Sequence, residues 1–215
     1  MLTVHAAPLV LPVGAAGVEG GAVVVDGDRI VALGPYDEVT AAHPTARIRR
    51  WPGVLTPGLR QWDVVPLLTR CYHPDPREAG ELGEQPLTGA DFEALAERMD
   101  EPRRAGSVRR GLQRMLRHGT THVAGPFDDH AVRTAVARSG LTAVAGPPGG
   151  LLDEPDLDPF VHGGDLPGSV HGPLTVGGRA DLAVFDVPDE AALAAAGAGT
   201  CVATVLGGRL VYRQR

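Results

Sequence analysis

Asp63, His73, Asp128 and His130 are the side chains whose types could do chemistry together. Asp63 follows an apolar run that reads as a strand, and Asp128 and His130 follow another. His73 lies in the loop Cys71 to Pro76 beyond the first run. Parallel β/α folds gather reactive groups at the C-terminal ends of their strands. These four would then line one polar pocket, or a weak metal site of mixed oxygen and nitrogen ligands. Each also has a plainer role. Asp128 or Asp129 stands where it would cap a helix starting near Ala131, and the others read as solvated. Arg60 and Trp62, beside Asp63, would suit a small polar ligand in an aliphatic pocket, although Trp62 reads equally well as core. His118 reads as a cation at a helix C-terminus, and His122 as a packed or surface histidine.

The chemistry that is excluded is sharper. The chain has no lysine, so it offers no Schiff base, no lysine general base and no carboxylated lysine to bridge two metals. It contains no Gly-x-Ser-x-Gly elbow, no Gly-x-x-x-x-Gly-Lys phosphate loop and no Cys-x-x-Cys pair. Its three serines, Ser107, Ser139 and Ser169, each stand in a plausible cap or turn. A net charge of -6 over 215 residues leaves no overall basic footprint for nucleic acid or an anionic membrane. Cys71 and Cys201 make no disulfide framework, which fits a reducing cytoplasm. The apolar N-terminus lacks a positive region and is interrupted by prolines, so it does not read as a signal peptide. The uncharged run Ala191 to Gly208 carries Gly197, Gly199 and Thr200 in its middle and reads as a short helix followed by a strand, not a membrane span.

The elements that must position these residues fall into three groups. The first fifty residues alternate short strands and turns, with Asp26-Gly27-Asp28 marking a tight hairpin and "ARIRRWPG" a strand with one wet face. From about Val54 to Gly150 the period changes. Val108, Leu112, Met115 and Leu116 recur at helical spacing with arginines on the other face, and Gly119 stands where a helix would end. "TTHVAG", "DDHAVRTAVARSG" and "LTAVAGPPGG" then read as strand, helix and strand. "LLDEPDLDPFVHGGDLPGS" has no period and reads as a connection. The last part, from "LTV" through "ADLAVFD" and "CVATVLGG" to "RLVYR", returns to strands, with Gly207-Gly208 as a hairpin turn.

With "VVVDGDRIVALGP", "VLTPGL", "GLQRMLRHGTTHVAG", "GPLTVGGRADLAVFDV" and "TVLGGRLVY" in this order, the sequence resembles the amidohydrolase superfamily, nearest its imidazolonepropionase and cytosine-deaminase branch. The resemblance implies a composite β-sandwich, made from both chain ends, beside a metal-binding (β/α)8 barrel, and an activity on non-peptide carbon–nitrogen bonds. It also implies a His-x-His pair after Pro-Gly-Leu, because two imidazoles two apart on a strand point to one side and share an ion. Laid on Pro57, Gly58 and Leu59, that pair falls on Asp63 and Val65.

From Val54 to Gly172 there are roughly 118 residues, against about 250 in a full barrel, which leaves room for about three β/α units. The expected architecture is therefore a composite sandwich from 1–56 and 172–215, with 57–171 an inserted, truncated barrel-like β/α region. Three parallel strands cannot close a barrel, so the open sheet must either pack onto the sandwich or be covered by a second chain, and a homodimer is expected on this ground. The functional expectation is a degenerate, non-catalytic protein with a binding, assembly or regulatory role and no cofactor. Its alternative is a small hydrolase or deaminase using a rebuilt or subunit-shared site with a divalent metal such as zinc.

Overall fold

The structure, a computed structural model, describes residues 1–147, 149–152 and 154–214. Pro148 of "GPPGG" and Asp153 of the acidic connection lie outside the described residues. In chain order the elements are β1 (Thr3–Ala6), β2 (Leu9–Val10), β3 (Val18–Glu19), β4 (Gly21–Asp26), β5 (Arg29–Pro35), α1 (Tyr36–Ala42), β6 (Arg47–Arg50), β7 (Val54–Pro57), β8 (Leu59–Gln61) and α2 (Val64–Thr69). They continue with α3 (Ala79–Leu82), α4 (Gly89–Ala96), α5 (Glu101–Arg117), β9 (Thr120–Gly125), α6 (His130–Ser139), β10 (Thr142–Ala145), α7 (Phe160–Gly163) and α8 (Leu166–Ser169). The chain ends with β11 (Leu182–Phe185), α9 (Glu190–Ala196), β12 (Cys201–Leu206) and β13 (Arg209–Arg213). This is a mixed α/β protein with several sheets. Its residues fall into two compact units, one of Met1–Arg60, Leu116–Thr121 and Asp158–Arg215, the other of Gln61–Met115 and His122–Leu157.

In the first unit, a four-stranded sheet in the order β5-β4-β1-β6 and a six-stranded sheet in the order β13-β12-β11-β7-β2-β3 face each other. Val23, Val25 and Ile30 from one meet Leu55, Leu182, Val184 and Val205 from the other in a shared core. The two ends of the chain interleave because β7 pairs with β11, Val54 opposite Phe185 and Pro57 opposite Leu182. β4 buries both its faces, Val23 and Val25 toward the other sheet and Ala22 and Val24 against Val39 of α1. That is why "GAVVVD" shows no polar alternation. The β4–β5 hairpin turns tightly, Asp26 pairing with Arg29, and the β12–β13 hairpin turns at Gly207-Gly208 as its sequence indicates.

The aperiodic segment before β11 is more ordered than its composition suggests. One-turn α7 and α8 supply Phe160 and Leu166 to a second apolar cluster with Phe185 and Leu193. Helices of four residues are too short to show a period, and their signal is instead the cap: Asp165 accepts from Gly168 N at 2.8 Å, with a proline in the first turn.

In the second unit β9 and β10 pair in parallel, Thr142 opposite His122 and Ala145 opposite Gly125, and β10 is the edge strand of its sheet. α6 is capped by Asp129, which accepts from Val132 N at 3.0 Å, and so begins at His130. The long helical region is split before α5, where Asp100 accepts from Arg103 N at 2.9 Å ahead of Pro102. Among the described residues no helix is long and apolar enough to cross a membrane.

Gly53, between β6 and β7, is the tightest backbone position of the sandwich. Its φ is +59°, and a Cβ there would run into the carbonyl oxygen of Phe185 and stand 2.6 Å from that of Val187. Replacing Gly53 with Ala is expected to cost at least about 2 kcal/mol, since left-handed strain and a backbone clash add, read as a lower urea midpoint with an unchanged slope.

Candidate functional site

The residues placed at the strand end by the sequence follow the Pro57-Gly58-Leu59 junction between β7 and β8. Pro57 closes β7, Gly58 donates its N–H to Asp181 O at 2.9 Å, and Leu59 opens β8 with its N–H to Gly119 O at 2.9 Å. A Cβ on Gly58 would strike the Thr121 side chain, its Cβ only 2.7 Å away, so the middle residue of Pro-Gly-Leu must have no side chain.

Asp63, in the second unit, is fully buried at the start of α2. Its backbone N–H donates to Gln61 Oε1 at 3.0 Å, and Gln61 in turn donates to the carbonyls of Asp156 and Leu157 at 2.9 and 3.1 Å. The Asp63 Oδ1 accepts from the N–H groups of Leu151 and Leu152 at 2.7 and 3.3 Å. This carboxylate therefore holds the backbone at Leu151 and Leu152. Val65, two residues on, has no donor atom to offer.

His73 is also fully buried. Its Nε2 lies 2.9 Å from Leu67 O, and because a carbonyl only accepts, Nε2 carries the proton. Nδ1 is left buried without a partner. Burial lowers the His73 pKa to about 4, with the hydrogen bond to Leu67 opposing and the Arg114 and Arg110 charges adding to the fall. The ring lies directly on α5, where a Cβ at Gly111 would come within 2.7 Å of Nε2.

Asp128 and His130 are exposed, while Asp129 caps α6 and pairs with Arg104 at 2.8 Å. Among the described residues no group of three or more His, Cys, Asp and Glu comes together that could hold a metal ion. The four candidates are not brought into one ligand set. Asp63 Oδ1 is engaged by two amides, and the Val65 side chain supplies no donor atom. Arg60 belongs to the first unit, where its Nη2 donates to Gly168 O at 3.5 Å, and Trp62 is half-buried. A cavity of about 210 Å³ in the second unit is lined by Arg70, Thr88, Phe92, Glu93 and Glu154, and neither Trp62 nor Asp63 reaches it.

What the sequence reading did not anticipate is a clamp between the Cys71–Glu78 loop and α5. The Tyr72 hydroxyl donates to Glu78 Oε2 at 2.6 Å and accepts from Arg103 Nε at 2.9 Å, while Arg103 Nη2 meets Glu78 Oε1 at 2.7 Å. Ser107 Oγ accepts from His73 N at 2.9 Å, and Arg110 Nε donates to His73 O at 2.7 Å. Arg103, Ser107 and Arg110 are spaced along one helical face, so arginines assigned to a wet surface are partly buried structural donors. Burial alone would raise the Glu78 carboxyl, but Tyr72, the Asp75 amide and Arg103 together hold it below its ordinary value. The one legible sign was local: Asp75-Pro76-Arg77-Glu78 is a capping box, and it forms.

Residues 21–46, which hold β4, β5 and α1, match the family model of the bacterial imidazolonepropionase-like composite domain. The chain resembles imidazolonepropionase-like amidohydrolases. Solved structures it is similar to include E. coli guanine deaminase, at 16% identity over 68% of this chain and 36% of that one with a TM-score of 0.47. Another is Helicobacter pylori aminofutalosine deaminase in complex with methylthio-coformycin, at 18% identity over 66% and 34%, TM-score 0.46. A third is guanine deaminase from Bradyrhizobium japonicum, at 18% identity over 68% and 35%, TM-score 0.44. The chain spans about a third of the length of these structures. Comparison with curated proteins gives no match.

Two outcomes follow from this geometry. Asp63→Ala removes the acceptor of two amides and is expected to cost about 2–3 kcal/mol in denaturant unfolding, with Asp63→Asn, which keeps one oxygen, recovering part of it. His5 of the first unit, like His73, has its pKa lowered to about 4, by burial first and Arg49 second. Both take up protons more readily when unfolded, so their contribution is complete above pH 6.5 and is lost progressively as pH falls from 6.5 to 4. Each accounts for on the order of 3 kcal/mol over that window, and unfolding midpoints measured from pH 7 to 5 should fall accordingly, less steeply in His73→Gln.

Proposed function

We propose that the protein is a degenerate amidohydrolase homologue whose role is binding, assembly or regulation, without hydrolysis at the ancestral metal position. The observation that carries this reading is Asp63: it stands at the first expected imidazole position, and its carboxylate is committed to the Leu151 and Leu152 amides. An Oδ1 that already accepts from two amides has both its lone pairs occupied, which supports a role for Asp63 as the anchor of Leu151 and Leu152. The regions 1–56 with 172–215 and 57–171 are proposed as the functional division into composite sandwich and barrel-like part. A reducing, cytoplasmic setting accords with Cys71 and Cys201, both buried free thiols whose pKa burial pushes up to about 11.

A second reading is favoured by one feature. The strand β10 ends its sheet with Ala143 and Ala145 exposed, and an uncovered parallel edge invites pairing with another chain. A homodimer formed there could complete a site for a hydrolase or deaminase acting on non-peptide carbon–nitrogen bonds, the chemistry named in the deaminase structures above. Elemental analysis of the purified protein separates the readings: the first expects substoichiometric zinc, iron and manganese, and no turnover of imidazolones, pyrimidines, adenine nucleosides or cyclic amides with metal supplied. One metal per chain together with turnover would overturn it. Light scattering at micromolar concentration should give the dimer mass, and a monomer mass would remove the shared-site variant.

A further inference from the structure

The chain is acidic overall, with a net charge of -6, yet three arginines converge at one open side of the sandwich in the first unit. β6 is an edge of the four-stranded sheet and β13 an edge of the six-stranded one. Arg47 and Arg49 stand on β6 opposite Thr3 and His5 of β1, and these face Val25 and Val23 of β4. Val23 and Val25 belong to the core between the sheets. Side chains in register across a sheet share a face, so Arg47 and Arg49 turn to the inner side. Trp51, just past β6, joins the same core and stacks on His5 with ring centroids 6.0 Å apart and planes at 16°, its Nε1–H donated to His5 Nδ1 at 3.1 Å.

Arg213 reaches this place from the other sheet by an irregularity. Leu210 pairs with Val205 and packs on the inner core, while Tyr212 pairs with Thr204 and packs on the outer cluster. Two residues of equal parity thus face opposite sides, because the register shifts between Thr204 and Val205 and Val211 is the extra residue. Without that bulge Arg213 would point outward. With it, Arg213 pairs with inner-facing Ala203, and its guanidinium lies 5.7 Å from the centre of the Trp51 ring.

Among the described residues no carboxylate pairs with Arg47, Arg49 or Arg213. The Arg49 Nε is buried with no hydrogen-bond partner. Burial, then the charges of Arg47 and Arg213, hold the Arg49 guanidinium below its ordinary value. Guarding a strand edge against aggregation accounts for a cation on each edge. It does not account for three cations turned to the same rim, where like charges repel and a buried donor goes unmet. Three guanidinium groups on one rim, with Arg213 beside the Trp51 ring, offer forked N–H donors suited to a compact, multiply charged oxyanion.

We propose that Arg47, Arg49 and Arg213, at the sandwich rim over the His5–Trp51 stack, bind a phosphate group, either inorganic phosphate or a small-molecule phosphate monoester. The test is thermal unfolding and tryptophan emission of the intact chain titrated with inorganic phosphate and with phenyl phosphate, ionic strength held constant with sodium chloride. Tm is expected to rise by several degrees as phosphate saturates, with a saturable change in emission. Arg49→Gln and Arg213→Gln should each weaken binding at least tenfold, whereas Arg209→Gln, an exposed charge on the same β13, should leave it unchanged. Tighter binding of phenyl phosphate supports a monoester ligand, and equal binding supports free phosphate. Arg49→Lys keeps the charge while losing the fork, so it covers the case in which Arg49→Gln does not fold, and it too should weaken binding. The proposal is overturned if phosphate acts no more strongly than chloride, if these variants respond as the parent does, or if heparin binds while both phosphates are silent.

Discussion

The pairing of Val54–Pro57 with Leu182–Phe185 is the contact on which the sandwich depends. It joins residues more than a hundred positions apart and sets β7, β2 and β3 from the N-terminal part beside β11, β12 and β13 from the C-terminal part in one sheet. Closing so long a loop costs entropy before any contact offsets it. The offset comes from strands buried on every face: each residue of β7 and β11 is buried, and Gly53 lets the chain pass under the Phe185 and Val187 carbonyls. Gly58 then lets it leave β7 against Thr121.

What was legible in the sequence was whatever short-range chemistry decides. The β4–β5 and β12–β13 hairpins are written in Asp26-Gly27-Asp28 and Gly207-Gly208, and the cap of α6 in Asp128-Asp129, because each involves neighbours along the chain. β9 and the apolar stripe of α5 follow from periodicity. α7 and α8 escaped notice because a single turn has no period, and because Phe160 and Leu166 are recognisable as core only once Phe185 and Leu193 are beside them.

The candidate site was less legible for a related reason. Asp63, His73, Asp128 and His130 are chemically suited to metal binding, but side-chain type does not say which partner arrives first. Asp63 is met by amides 88 and 89 residues away, and His73 by a carbonyl six residues away. Asp128 and His130 stay exposed to solvent. The arginines of α5 show the converse. Arg103 and Arg110 read as a solvated face, yet the Tyr72 hydroxyl, the Glu78 carboxylate and the His73 carbonyl draw them inward, since a buried tyrosine hydroxyl and a buried carbonyl both need partners.

The same limit explains why net charge says little about any one face of the sandwich. A composition averages over the surface, whereas electrostatic recognition depends on which charges share a face. In a strand that assignment is a matter of parity, so a single inserted residue reverses it for everything downstream. β13 shows the consequence within five residues: Leu210 and Tyr212 separate to opposite clusters, and Arg213 comes to lie beside Trp51. No alternation pattern in "RLVYR" announces this, because the bulge is a property of the pair β12–β13 and not of either strand alone. A fold can therefore be read from periodicity while the charge display on its edges is set by the few places where periodicity breaks.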